Sequence, residues 1–164
     1  MYLWGEGARN AVARLIIGIF LCFRPRQWVK NAFVFVAPAF GGQLFEPGTA
    51  SDAILAFVSF CLLSGGVYIL NDWRDLEEDR GHPEKHTRPM ASGEVRVELA
   101  LAAAVIAAIL GLGLCFVAGG LLGLAAAASF MLLNVLYTFW LKHLVILDVM
   151  SIAAGFILRI LAGA

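Results

Sequence analysis

Charge is scarce in this sequence and unevenly spread. Only 15% of the 164 residues are Asp, Glu, Lys or Arg, against roughly 25% in soluble globular chains. The 12 basic residues are matched by 12 acidic ones, so the net charge says nothing about partners. It is the low charge beside 61% hydrophobic residues that excludes a basic nucleic-acid-binding protein, and no nucleic-acid partner is expected. Cysteine is equally sparse. Cys22, Cys61 and Cys115 stand singly in apolar stretches with no metal-ligand spacing, which excludes a disulfide-stapled secreted domain and leaves them as small packing residues. Apolar residues are abundant instead: 61% of the chain is hydrophobic, with a mean hydropathy of +0.85. That excludes a disordered tail. The longest gaps decide the class. No charge occurs in the 43 positions between Glu98 and Lys142, nor in the 19 between Asp52 and Asp72. A membrane crossing takes about 20 apolar residues, and a soluble domain of this length could not hide so much apolar surface. The chain reads as all-α, a polytopic transmembrane helical bundle forming one membrane domain over 1–164.

Residues 11–23 are apolar, but Arg14 interrupts them, Arg24-Pro25-Arg26 ends them, and no small-x-small cleavage site follows. An interfacial segment over 1–26 is expected rather than a signal peptide. A first span is expected from about Trp28 to Phe45 and a second from about Ala53 to Leu70. The 43-residue run must fold back, with Gly119-Gly120 as the turn. A third span, Leu99 to Ala118, and a fourth, Leu121 to Leu141, result; a fifth begins near Leu144. Basic residues count 5, 0, 5, 0 and 1 in the segments flanking these spans. The positive-inside rule then places the N-terminus and the 71–98 loop in the cytoplasm, with the chain in the inner (plasma) membrane.

The 71–98 loop holds 13 of the 24 charged residues. With no breaker before Gly81, the second span's helix is expected to continue through it. At about 100° per residue, Asn71, Asp75 and Asp79 drift only about 80° around that helix, with Asp72 about 100° from Asn71. Oxygen donors on one stripe, at a helix C-terminus where the dipole is negative, suit Mg²⁺ or Ca²⁺. From Asn71 to Asp79 the rise is about 12 Å, so two Mg²⁺ ions holding a diphosphate fit better than one ion. A solvated loop that only sets topology is the plain alternative. Arg80, Lys85 and Arg88 follow, with Arg24, Arg26 and Lys30 on the same side; each is a phosphate partner or a headgroup anchor. His82 and His86 straddle Pro83, which argues against a zinc pair. Asp148 and Arg159 are charges near or within the last span and share a helix face. Tyr137 and Lys142 sit at the cytoplasmic end of span four, as belt and snorkelling residues or as substrate contacts.

NDWRDLEEDR resembles the first aspartate-rich motif, N-x-x-x-D-x-x-x-D, of the UbiA superfamily of intramembrane prenyltransferases. RPRQWVKN at 24–31, DRGHPEKHTRP at 79–89 and YTFWLKHLVILDVMSIAAGFILR at 137–159 resemble its decaprenyl-phosphate phosphoribosyltransferase branch. The resemblance implies a bundle of about nine spans, of which about five are present, with a second aspartate-rich motif in a C-terminal half absent here. It implies Mg²⁺-diphosphate ligands at Asn71, Asp75 and Asp79, with Asp72 beside them as the catalytic cluster. Lys30, Arg80, Lys85 and Arg88, with Tyr137, Lys142 and Asp148, would bind substrate. The implied reaction is Mg²⁺-dependent transfer of 5-phosphoribose from phosphoribosyl diphosphate to a polyprenyl (decaprenyl) phosphate, a step toward cell wall arabinan precursors.

Two rivals are an aromatic polyprenyltransferase using a polyprenyl diphosphate and, outside enzymes, a cation transporter. DRGHPEKHTRP favours a phosphosugar donor; the position of the carboxylates at the membrane rim disfavours transport. Self-association stays open. Because the last apolar run stops at Ala164 without a polar cap, this chain alone is expected to be inactive, with Arg159 awaiting a partner from the absent half.

Overall fold

The computed structural model describes the backbone of residues 4–141 and 145–164, and the side chains of 11–141 and 146–164. Every regular element among the described residues is helical. In chain order these are α1 (Trp4–Cys22), a 3₁₀ helix (Pro25–Phe35), α2 (Val36–Phe40), α3 (Pro47–Arg74), α4 (Leu76–Gly81), a 3₁₀ turn (Lys85–Thr87), α5 (Val97–Phe139) and α6 (Val145–Ala162). By length and composition, α3 and α5 are each able to cross a membrane.

The expected turn in the long apolar run is present. Within α5, Gly119 (φ −131°, ψ 17°) and Gly120 (φ 57°, ψ −142°) leave the helical region, and glycine adopts the positive φ of Gly120 at no steric cost. Beyond it the chain doubles back. A Cβ on Gly123 would lie 2.4 Å from the Cys115 carbonyl oxygen, so limbs 97–118 and 121–139 meet at backbone contact.

α3 runs antiparallel to the first limb. Ser59 Oγ donates to the Gly111 carbonyl at 2.7 Å, and Gly66 faces Ala104 farther along. α6 returns antiparallel to the second limb, with Tyr137 bonded to Asp148 and Gly155 against Phe130. The core at the centre of this packing comprises Val34, Ala56, Phe60, Leu63, Cys115, Ala127 and Phe130.

The expected first span is not one regular helix. Arg24 adopts the left-handed region (φ 50°), and the eleven-residue 3₁₀ helix that follows passes into the five-residue α2. Extended 3₁₀ runs are uncommon, and packing explains this one. Arg24 pairs with Asp72 and Phe35 stacks near Phe57, so eleven 3₁₀ residues run alongside fifteen α-helical ones. At about 2.0 and 1.5 Å per residue, both lengths come to about 22 Å.

A second core cluster joins Cys22, Ile69 and Ala100 to Met90 and Val95 of the 82–96 connection. Two apolar plugs thereby anchor an otherwise polar loop against α1, α3 and α5. Antiparallel packing brings that loop, the end of α3, the end of α5 and the start of α6 to one end of the bundle.

Candidate functional site

The apolar run of α3 stops at Leu70, and the helix continues outward through Asn71–Arg74. It does not continue unbroken to Gly81 as expected. Asp75 leaves helical geometry (φ −100°, ψ 12°) and α4 starts at Leu76. The bend still carries helical hydrogen bonds: Asp75 N–H donates to Asn71 at 3.0 Å and Asp79 N–H to Asp75 at 2.8 Å. Burial differs along this stretch. Asn71, Asp72, Asp75 and Asp79 are buried or half-buried, whereas Trp73, Arg74, Glu77, Glu78 and Arg80 are exposed.

The two buried carboxylates are linked through cations. Asp72 Oδ1 accepts from an Arg24 guanidinium nitrogen and from Arg88 Nη1 at 3.0 Å. The same Arg88 nitrogen donates to Asp79 Oδ2 at 2.5 Å. Lys85 Nζ stands 3.8 Å from Asp79 Oδ1. The result is an alternating line, Arg24–Asp72–Arg88–Asp79–Lys85, with three cations for two carboxylates.

The remaining site residues fall into three groups. Beside the ion-pair line, Thr138 donates its hydroxyl to Asn71 Oδ1, and Tyr137 donates to Asp148 Oδ1 at 2.8 Å. These bonds place the end of α5 and the start of α6 at the same end of the bundle as the carboxylates. Apart from the line stand Arg80, which pairs with Glu77 at 2.7 Å on the exposed side, and Lys30, exposed on the 3₁₀ helix. Among the described residues neither makes an ion pair with Asp72 or Asp79. Lys142 lies outside the described residues.

Arg159, expected to need a partner beyond this chain, finds neutral polar partners within it. Nε donates to Asn31 Oδ1 and Nη1 to the Gly155 carbonyl, both at 2.8 Å. The guanidinium also lies 4.6 Å over the Phe130 ring. A planar guanidinium can make both bonds while stacked on an aromatic face.

A divalent cation can be tested against these donors. Asp79 Oδ1 is fully buried and accepts no hydrogen bond; an anionic oxygen in that state suits a hard cation. Among the described residues no three His, Cys, Asp or Glu gather into a ligand set. Mg²⁺ held mainly by phosphate oxygens needs only one or two carboxylates, so Asp79 fits an ion arriving with a diphosphate. Asn71 Oδ1 accepts one hydrogen bond, from Thr138, and an amide oxygen has a second lone pair to offer a cation.

Sequence reasoning missed Thr138, Asn31, Met90 and Val95, and left Arg24 undecided between anchor and phosphate partner. Only the Arg24-Pro25-Arg26 corner carried a local signal.

The family model described as UbiA prenyltransferase family matches residues 32–164. The chain is 38% identical over 158 residues to a decaprenyl-phosphate phosphoribosyltransferase from Corynebacterium glutamicum, covering 94% of this chain and 48% of that protein. A Mycolicibacterium smegmatis protein of the same name is 35% identical over 153 residues, covering 91% and 48%. Nodulation protein NoeC of Azorhizobium caulinodans is 35% identical over 141 residues, covering 86% and 45%. The chain spans about half the length of the curated relatives it matches.

Proposed function

We propose, on the premise that the chain belongs to the UbiA prenyltransferase family, that it forms the donor-binding part of a membrane phosphoribosyltransferase. The reaction moves 5-phosphoribose from phosphoribosyl diphosphate to a polyprenyl phosphate, with decaprenyl phosphate suggested by the relatives' names. In this reading the chain supplies about five membrane crossings: the 25–40 segment, α3, both limbs of α5, and α6. The carboxylate end faces the cytoplasm at the inner membrane.

One observation carries the proposal. A line of three cations and two buried carboxylates lies just past the apolar run of α3. Such a site offers guanidinium and ammonium donors to a phosphate-rich ligand and carboxylate oxygen to the cation that accompanies it. Bound there, Mg²⁺ would neutralise charge on the diphosphate leaving group.

The chain's own residues do the positioning. Arg88 and Lys85 meet donor phosphates, Asp79 faces the metal side, and the Tyr137–Asp148 pair borders the same end. As the ribose C1–O bond to diphosphate breaks, a new C1–O bond forms to the lipid phosphate oxygen. That oxygen is already anionic, so no strong general base is needed. Holding a soluble donor against a membrane-held acceptor is the principal contribution.

The test is direct. Purified protein should bind phosphoribosyl diphosphate only with Mg²⁺ present. Membranes holding the intact transferase, supplied with labelled phosphoribosyl diphosphate and decaprenyl phosphate, should yield a labelled lipid on thin-layer plates. A product formed instead from a polyprenyl diphosphate and an aromatic acceptor would overturn the phosphoribosyl reading.

A further inference from the structure

Arg24 occupies a costly position. It is the only described non-glycine residue with positive φ, and non-glycine residues enter that region at a conformational cost that the surroundings must offset. Its surroundings are specific. The preceding Phe23 lies against bare Gly65 of α3, where a Cβ would come within 2.1 Å of the ring. The guanidinium lies 4.9 Å over the Tyr68 ring and pairs with buried Asp72. Arg24 is therefore anchored to α3 by its backbone corner, by an aromatic face and by an ion pair.

Arg88 is held differently. It belongs to the connection between α4 and α5, and its Nη1 is divided between Asp72 and Asp79. If Arg88 turns toward an anionic ligand, Asp72 keeps Arg24 and Asp79 keeps Lys85. No buried carboxylate is then left without a cation, which would otherwise oppose the movement strongly.

We propose that Arg24 is a positioning residue that neutralises Asp72 permanently, so that Arg88 is free to leave the carboxylates for the donor diphosphate. The proposal rests on the phosphoribosyl diphosphate reading above. It moves Asp72 from the reacting cluster to a supporting role. Without Arg24, the Asp72 charge would fall to Arg88 alone and hold it back from the ligand.

The experiment measures Mg²⁺-dependent binding of phosphoribosyl diphosphate by detergent-purified wild type, R24Q, R24K and R24Q/D72N, with thermal unfolding recorded for each. R24Q should bind about tenfold more weakly, the scale of one charge-assisted hydrogen bond. R24K, which keeps a point charge, should stay within about threefold. The decisive variant is R24Q/D72N, which releases Arg88 and should recover affinity relative to R24Q. A direct Arg24–phosphate contact, or a metal bound by Asp72, would leave the double variant no better than R24Q and overturn the proposal. Should R24Q fail to fold, a tenfold loss in R24K that R24K/D72N does not reverse overturns it equally. Wild-type protein that shows no Mg²⁺-dependent binding overturns the donor reading itself, and the proposal with it. Wild-type binding without recovery in the double variant removes only the Arg24–Asp72 role.

Discussion

At the scale of single residues, two carboxylates two positions apart do opposite things. Asp79 is 1% exposed and meets Arg88 and Lys85, whereas the Glu77 carboxylate is 83% exposed and meets only Arg80. Asp79→Asn should weaken Mg²⁺-dependent donor binding by at least about tenfold, because a buried pair loses its charge. Glu77→Gln should remain within about twofold, since exposed ion pairs contribute little. Equal losses in isothermal titration would show that only the loop's net charge matters. Arg159 supports a stability prediction of the same grain. Its planar fork reaches Asn31 and Gly155 together while lying over Phe130. Arg159→Lys cannot make both bonds from one stacked plane, and a loss of about 1–3 kcal/mol is expected. Unchanged thermal unfolding in detergent would refute that. The shared helical stripe of Asn71, Asp75 and Asp79 was legible in the sequence, and all three are buried or half-buried. Their pairings were not. Arg24 and Asp72 are 48 positions apart and Arg88 and Asp72 are 16 apart. A basic residue beside a membrane span reads as a headgroup anchor until the approach of a distant carboxylate shows otherwise.

At the scale of elements, local signals decided what could be read. Gly119-Gly120 interrupts an unbroken apolar run, and the backbone reverses there. The bend at Asp75 and the 3₁₀ stretch from Pro25 carry weaker signals, because tertiary packing decides both. Past the bend, α4 holds Asp79 within reach of Arg88. Keeping Arg24 beside Asp72 and Phe35 beside Phe57 requires a backbone that rises faster than an α-helix. Close helix contact makes a further prediction. A Cβ at position 123 would sit 2.4 Å from a backbone oxygen, an atom that cannot swing aside as a flexible side chain would. Gly123→Ala should therefore lower stability by about 1–3 kcal/mol. Gly113→Ala, with nothing within 4 Å of its Cβ, should instead leave stability unchanged or raise it by up to about 1 kcal/mol. Equal unfolding temperatures for the two variants would mean that the limbs of α5 do not pack as described.

At the scale of the whole molecule, polarity is divided between two ends. The ion-pair line, the Asn71–Thr138 bond and the Tyr137–Asp148 bond share one end, and the Gly119-Gly120 turn and the start of α3 share the other. Between them the lateral faces carry exposed apolar side chains such as Ile109, Val117, Val149, Ile152 and Ile157, surfaces suited to lipid or to further helices of a larger bundle. Basic residues accumulate at the carboxylate end, and the 41–52 segment at the other end has none. On the positive-inside rule the proposed topology puts the carboxylate end in the cytoplasm. Cysteine labelling tests this cleanly, because Cys22, Cys61 and Cys115 are all buried and should react slowly. Glu84 and Gly48 are both exposed, and α3 with its 28 residues lies between them, a length of about 42 Å. In inverted and right-side-out vesicles, a membrane-impermeant maleimide should therefore reach Glu84→Cys from the cytoplasmic face and Gly48→Cys from the opposite face. Labelling of both from one side would mean that α3 does not cross the bilayer. The carboxylates would then have no membrane rim to sit at, and a water-soluble donor and a lipid acceptor could not be brought together in the way proposed.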